Sequence, residues 1–237
     1  MRALRRGLIV LFVLAVLFVA ADRLALKLAE DEAAERIKNA KGVSSTSDTS
    51  IDIKGFPFLT QVFARELDQI DADLSGIRAE GAGGTLTVSR VDAQLKDVRI
   101  SDSYDSAVAS EATGSAIVTY DDLTKAAPDG VRVAWGGKDG EGKGRVKVTA
   151  GLSLPVLGDF RRSVTSTVSV SGGDTVKLEA DEVPGGDVPG LEDTIRQRID
   201  FAREIAGLPE GLELDRVEAT TKGIELSVRG KDVELTG

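Results

Sequence analysis

TLTVSRVDAQLKDVRI, residues 85–100, is the stretch that decides the fold. Apolar and polar residues alternate along it, as in a β-strand with one dry and one wet face. Its apolar positions fall into three groups, which are Leu86 and Val88, then Val91, Ala93 and Leu95, then Val98 and Ile100. Between groups the phase shifts by one residue, which turns the following side chains to the other face of a regular strand. The stretch therefore predicts a long strand that is bulged or strongly curved.

The same alternation recurs along the rest of the chain and predicts an antiparallel sheet. Val, Leu and Ile alternate with Ser, Thr, Lys and Glu, so one face of each strand is dry and the other is wet. Gly-rich connectors between these stretches favour hairpin turns. The strand stretches begin near Ile51, Arg145, Ser163, Thr175 and Gly223, and the connectors are residues 81–84, 136–144, 171–174 and 221–223.

Three stretches predict helices. TQVFAREL follows Pro57 and Phe58, with Thr60 placed to cap it, and YDDLTKAA ends before Pro128. LEDTIRQRIDFAREIAG, residues 191–207, has the clearest apolar stripe at helical spacing. We therefore expect an α+β domain over residues 43–237, in which helices lie along a long, curved, mostly antiparallel sheet.

The N-terminus predicts an anchor or an export signal. Three arginines precede the uncharged apolar run from Gly7 to Ala21, and the helical pattern continues past it. Residues 1–21 are thus a retained single-pass anchor or a signal peptide cleaved near Ala21, with the anchor favoured. Residues 22–42 are expected to form an amphipathic helical stalk. Both interpretations place the body outside the cytoplasm, because the arginines hold the N-terminus inside.

Composition restricts the function. The chain has no Cys and no His, so the usual metal ligands and the commonest general base are missing. Its net charge is −9, and the first 21 residues carry three arginines and no acid, so the remainder carries −12. Such a body repels nucleic acid. We expect no enzyme activity, no metal and no cofactor. The weakest alternative is a hydrolase built on paired carboxylates such as Asp71 and Asp73.

GFPFLTQVF, residues 55–63, concentrates bulky apolar residues in a chain with few aromatics. Pro57 prevents a regular central strand from continuing through this stretch. One interpretation is a hydrophobic staple, in which Phe58 or Leu59 packs against the start of the following helix. The other is an apolar lip of a ligand cavity, or a wedge that touches a membrane. The two are compatible.

The chain resembles the LmeA-like phospholipid-binding family of the mycobacterial and related bacterial cell envelope. The likeness rests on IKGFPFLTQVFARELDQIDADLSGI, on VTYDDLTKAA and on the block from Gly144 to Ala180. It implies an envelope-associated protein that binds phospholipid. It also implies a fold similar to the tubular lipid-binding proteins, in which a curved sheet wraps a long helix around an apolar groove. The resemblance supplies no catalytic residue.

We therefore predict an extracytoplasmic protein that holds the acyl chains of a phospholipid in an apolar groove and supports envelope lipid or lipoglycan assembly. Its partners are expected to be an acyl lipid and, through the N-terminal helix, the cytoplasmic membrane. The alternative is a non-enzymatic scaffold with a filled core that binds protein partners. The predicted lipid-binding residues are Phe56, Pro57, Phe58, Leu59, Phe63 and Trp135.

Overall fold

The computed structural model confirms an α+β fold with antiparallel sheets and a long apolar N-terminal helix. The helices are α1 (Arg2–Lys38), α2 (Phe58–Ala64) and α3 (Tyr120–Ala126). The strands are β1 (Asp48–Lys54), β2 (Glu66–Gly81), β3 (Gly84–Ile100), β4 (Ser106–Val118), β5 (Val131–Lys138), β6 (Gly144–Leu154), β7 (Gly158–Ser171), β8 (Thr175–Glu182), β9 (Phe201–Glu204), β10 (Leu212–Thr220) and β11 (Gly223–Thr236). The structure describes residues 2–38, 48–81, 84–102, 106–127, 129–154, 158–182, 201–204, 208 and 210–236.

The strands form two antiparallel sheets. The first has the order β1-β2-β3-β4-β11-β10, and the second has the order β5-β6-β7-β8-β9. The C-terminal hairpin β10–β11 therefore completes the first sheet by pairing with β4. Strand β10 also contacts β6 and β7, which joins the two sheets.

The two short helices form where predicted, with different caps. Pro57 is the N-cap of α2 and makes no side-chain cap bond, so the prediction that Thr60 caps this helix is wrong. Thr60 lies inside the helix, and its hydroxyl donates to the carbonyl of Pro57 at 2.8 Å. Thr119 is the N-cap of α3, and its hydroxyl accepts a hydrogen bond from the Asp122 N–H at 3.2 Å. The hydroxyl of Thr119 also holds the pKa of Asp122 below its usual value.

The helix predicted over residues 191–207 is wrong where the structure describes that segment. Phe201–Glu204 is strand β9, which pairs with Thr175–Leu178 of β8. Pairing with β8 provides β9 with main-chain hydrogen bonds. The periodicity of a single segment cannot predict such tertiary pairing. The remainder of the predicted helix lies outside the described residues.

At the second phase shift in residues 85–100, one row of residue pairs is missing across four strands of the first sheet. We call this missing row the crease. Asp97 has a left-handed backbone, φ 48°, and so does Asp232, φ 49°. The row formed by Asp68, Asp97, Ser110 and Asp232 is left out of the pairing on four adjacent strands, although the register is the same on both sides. Buried or packed positions therefore recur three residues apart across the crease, as Leu67 and Ile70, Leu95 and Val98, and Ala109 and Ala112 do.

The first phase shift has a similar cause on the neighbouring strand. Gly76 of β2 has φ 66° and faces Ser89, and this pair is missing between the pairs Ser75–Arg90 and Ile77–Val88. Glycine adopts this conformation without a steric penalty. The strand register is the same on both sides of each missing pair, so neither place contains the extra residue of a β-bulge. A residue with a left-handed backbone causes the phase shift instead.

Two apolar clusters hold the fold. The helix-side cluster consists of Phe58, Leu67, Val98 and Ala109, and Ala25, Leu26 and Ala29 of α1 pack against it. The intersheet cluster consists of Val146, Val148, Val164, Leu178, Ala180 and Ala219. Because Ala219 belongs to β10, the intersheet cluster joins the second sheet to the first.

Candidate functional site

One face of the first sheet carries a strip of small and aliphatic side chains between the two clusters. Paired residues point to the same face, so the register defines two rows across β2, β3, β4 and β11. None of these side chains is fully buried. We call this surface the apolar strip; its rows are Ala72, Ala93, Gly114 and Val228, and Leu74, Val91, Ala116 and Leu226.

The apolar strip is continuous with an apolar cluster at each end. At one end Ile70 and Leu95 pack against the helix-side cluster. At the other end Ile224 packs against the intersheet cluster. Four strands at about 4.8 Å spacing make the strip roughly 14 Å wide from first to last strand. The apolar strip is thus a partly buried surface that continues into the core at both ends.

The opposite face of the same strands is polar and charged. An open groove of about 580 Å³ runs along these strands, and its lining includes Asp71, Asp73, Gln94 and Arg229. One row of the apolar strip also contributes to the lining, namely Ala72, Ala93, Gly114 and Val228. Asp71 accepts from Gln94 Nε2 at 3.2 Å, and Asp73 pairs with Arg90 at 3.1 Å. The carboxylates that sequence reasoning singled out therefore already have amide or guanidinium partners.

Arg90 also pairs with Asp92, with Nε and Oδ1 2.8 Å apart. Burial alone would raise the pKa of Asp92, but the hydrogen bonds and charge of Arg90 outweigh it and hold this pKa below its usual value. Among the described residues, the acidic side chains form no group that would hold a metal ion.

Gly55 and Gln61 fix the backbone of the GFPFLTQVF loop. Gly55 has φ 98°, and a Cβ there would contact the side chains of Asp68 and Gln61. The Gln61 amide is buried, accepts from the Asp68 N–H at 2.8 Å and donates to the carbonyl of Lys54 at 3.3 Å. The peptide between Phe56 and Pro57 is cis. Phe58 is only 5% exposed and belongs to the helix-side cluster.

The side chain of Phe58 lies in the packed helix-side cluster. Leu67, Val98 and Ala109 surround it, and Val62 packs alongside. The hydrophobic-staple interpretation therefore describes Phe58. It does not describe Phe63, which is 94% exposed.

A second contact ties this loop to the end of the apolar run in α1. The carboxylate of Asp22 has no accessible surface and accepts the N–H of Leu59 at 2.8 Å. Arg23 pairs with Asp22 at 2.7 Å, and its guanidinium carbon lies 4.9 Å from the ring centre of Phe56. Sequence reasoning missed Asp22, although it is the first charge after the apolar run.

The six predicted lipid-binding residues are divided between two regions. Phe56, Pro57, Phe58, Leu59 and Phe63 lie at the junction with α1. Trp135 is half-buried and packs against the intersheet cluster. The structure does not test whether any of these six residues contacts a lipid, so their binding of lipid stays a prediction. The apolar strip was not among the predicted residues, although Val91 and Ala93 belong to the alternation that predicted its strand.

α1 is the one described helix that is long and apolar enough to cross a membrane, judged by length and composition. The family model of LmeA-like phospholipid-binding proteins matches residues 20–229 of the 237. The chain belongs to this family, which confirms the resemblance and supports lipid binding. No curated protein and no solved structure matches the chain.

Proposed function

We propose that this protein is an extracytoplasmic phospholipid-binding protein, held in the membrane by α1, that shelters acyl chains on the apolar strip. The partial exposure of that strip, in a chain of a phospholipid-binding family, carries the proposal. We further propose that it presents lipid to envelope lipid or lipoglycan assembly and acts without catalysis.

The energetics suit exchange with a bilayer. Each methylene moved from water to an apolar surface gains about 0.8 kcal/mol. A lipid leaving a bilayer loses the same stabilisation that it gains on the protein, because lipid tails are as apolar as the side chains that receive them. Binding is thus strong relative to water and nearly balanced relative to the membrane, so that loading and release are both feasible.

The placement of charge supports the topology. Arg2, Arg5 and Arg6 precede the apolar run, and such positive flanks remain cytoplasmic. Because the chain has no Cys, a single Glu141→Cys variant reports the location of the body without background labelling. Glu141 is exposed in the β5–β6 turn. A membrane-impermeant maleimide should label it in intact cells, and labelling only after lysis would contradict the topology.

Lipid on the strip is tested with the full-length protein in vesicles that contain phosphatidylcholine with a photoreactive acyl chain. After illumination, tryptic peptides are analysed by mass spectrometry. We expect labelled lipid on the Val91–Lys96 and Gly223–Arg229 peptides, which contain strip residues, in addition to the α1 peptides that serve as the positive control. Labelling of α1 alone would support the filled-core scaffold instead.

A matched pair of variants makes this test specific. Ala93→Asp places a charge on the apolar strip, whereas Thr113→Asp places the same charge on the polar face, opposite Gln94 and Arg229. Ala93→Asp should abolish strip labelling, and Thr113→Asp should leave it unchanged. Far-UV circular dichroism confirms that both variants are folded. Equal loss in both variants would show that the label does not report the strip.

A further inference from the structure

The exposed large apolar side chains of the described residues lie on α1 and on residues 56–63, whose helix α2 contacts α1. Those on α1 extend from Leu4 to Leu28, and the other two are Phe56 and Phe63. Phe56 is 61% exposed and Phe63 is 94% exposed. Apolar surface concentrated in one region marks a place of interaction rather than ordinary scattered exposure.

The loop that carries both phenylalanines is held at a defined height along α1. The hydrogen bond from Leu59 to the buried carboxylate of Asp22 fixes the loop one residue after the apolar run ends. The Arg23 guanidinium lies over the Phe56 ring. From Asp22 onward one side of α1 packs on the domain through Ala25, Leu26 and Ala29. The domain thus begins where the apolar run stops.

The apolar run by itself is too short for a bilayer. Gly7–Ala21 contains 15 residues and spans about 22 Å, whereas the hydrocarbon layer is about 30 Å thick. Leu24 and Leu28 are 63% and 61% exposed. A helix from Gly7 to Leu28 spans about 33 Å, which removes the mismatch. Asp22, Arg23 and Lys27 lie in this extension. The carboxylate of Asp22 has no accessible surface and pairs with Arg23, and long cationic side chains extend toward the headgroups.

If the hydrocarbon layer reaches the level of Leu24, it also reaches the loop that Asp22 fixes beside it. We propose that Phe56 and Phe63 form a docking surface that enters the interfacial layer of the leaflet in which α1 ends. The occupant is the acyl–headgroup boundary of that bilayer, and the inference rests on the membrane anchoring in the proposed function. Aromatic side chains are enriched at this depth. Docking would keep the helix-side cluster and the adjacent end of the apolar strip close to the bilayer leaflet from which the lipid comes.

The absence of Cys allows a direct measurement of depth. Single variants Phe63→Cys and Phe56→Cys of the full-length protein carry a nitroxide label and are reconstituted in phosphatidylcholine–phosphatidylglycerol vesicles. Power-saturation electron paramagnetic resonance then compares collisions with oxygen, which concentrates in the bilayer, and with a water-soluble nickel chelate. Val16→Cys within the apolar run and Glu141→Cys in the β5–β6 turn are the membrane and water references. Because both phenylalanines are exposed, the substitutions should not disturb folding.

We expect the Phe63 and Phe56 labels to give depths between those of the two references. Values equal to that of the Glu141 label would overturn the docking surface. A water-like value for the Val16 label would remove the anchor and the docking surface together. The photoreactive lipid experiment is a separate readout. An unlabelled strip with interfacial Phe63 and Phe56 labels would remove the lipid-sheltering function and leave the docking surface standing.

Discussion

Phe58 and Phe63 are five residues apart in one short helix, and the structure assigns them opposite roles. Phe58 is 5% exposed within the helix-side cluster, and Phe63 is 94% exposed. Removing a buried Phe ring costs the lost transfer free energy and leaves a cavity, in total about 3–5 kcal/mol. An exposed side chain of the same type changes the free energy of unfolding by at most about 0.5 kcal/mol. Phe58→Ala and Phe63→Ala therefore form a matched pair.

The expected difference is large enough to measure. With a dependence on urea of about 3 kcal/mol per molar, a loss of 4 kcal/mol lowers the unfolding midpoint by roughly 1.3 M. The full-length protein is unfolded in mild detergent micelles and followed by far-UV circular dichroism. Trp135, which is the sole Trp of the chain and packs against the intersheet cluster, supplies a second signal by fluorescence.

Two results would refute this reasoning. A Phe58→Ala midpoint equal to that of the wild type would show that Phe58 is not a core residue. Equal losses in Phe58→Ala and Phe63→Ala would show that the two faces of α2 are not distinguished. Coincident transitions from both signals would show in addition that the two clusters unfold as one cooperative unit.

Three further predictions concern single residues. Gly55→Ala should lower the free energy of unfolding by about 1–3 kcal/mol, measured by the urea midpoint, because φ 98° strains any residue with a Cβ; a wild-type midpoint would contradict the described loop. Tyr120→Phe should cost about 1 kcal/mol, because it removes the hydrogen bond from the Tyr120 hydroxyl to the Thr220 carbonyl at 2.7 Å. Burial raises the pKa of Tyr120 to about 12, so its contribution is fully present below the unfolded pKa of about 10 and is lost as the pH rises through the folded value; a tyrosinate absorbance titration of wild type minus variant that gives the ordinary pKa would contradict this. Asp97→Val should cost about 1–2 kcal/mol at φ 48°, whereas Asp97→Gly should stay within about 1 kcal/mol of wild type in the same urea assay, and equal effects would argue against the left-handed conformation.

The strand pattern was predictable because its cause is local. Alternation along residues 85–100 correctly indicated a long irregular strand, and its phase shifts fall at the interruptions near Ser89 and Asp97. The sequence did not distinguish an inserted residue from a left-handed one. Both shift the phase of the side chains, but only the insertion changes the register.

Tertiary pairing explains the main error in secondary structure. Ala202 belongs to an apolar stripe at helical spacing in the sequence. In the structure it lies in β9 and pairs with Lys177 of β8. The stripe is a property of one segment, whereas the pairing depends on an edge that another segment provides. Local periodicity carries no information about that edge.

The candidate site was predictable only in part for the same reason. Sequence reasoning marked Phe56, Phe58 and Phe63 together, because adjacent aromatics look alike before their burial is known. The bond between Asp22 and Leu59 joins residues 37 positions apart and has no local signal. The apolar strip likewise arises from four strands brought side by side, so it exists only in the register of the sheet.

The continuity of α1 from Arg2 to Lys38 has a mechanical consequence. The same rigid rod forms the apolar N-terminal segment and packs against β1 and α2 farther along. A helix adapts to a thinner or thicker bilayer by tilting. If α1 anchors the protein as proposed, its tilting would rotate the domain packed on it, so that membrane thickness would set the angle between the apolar strip and the leaflet.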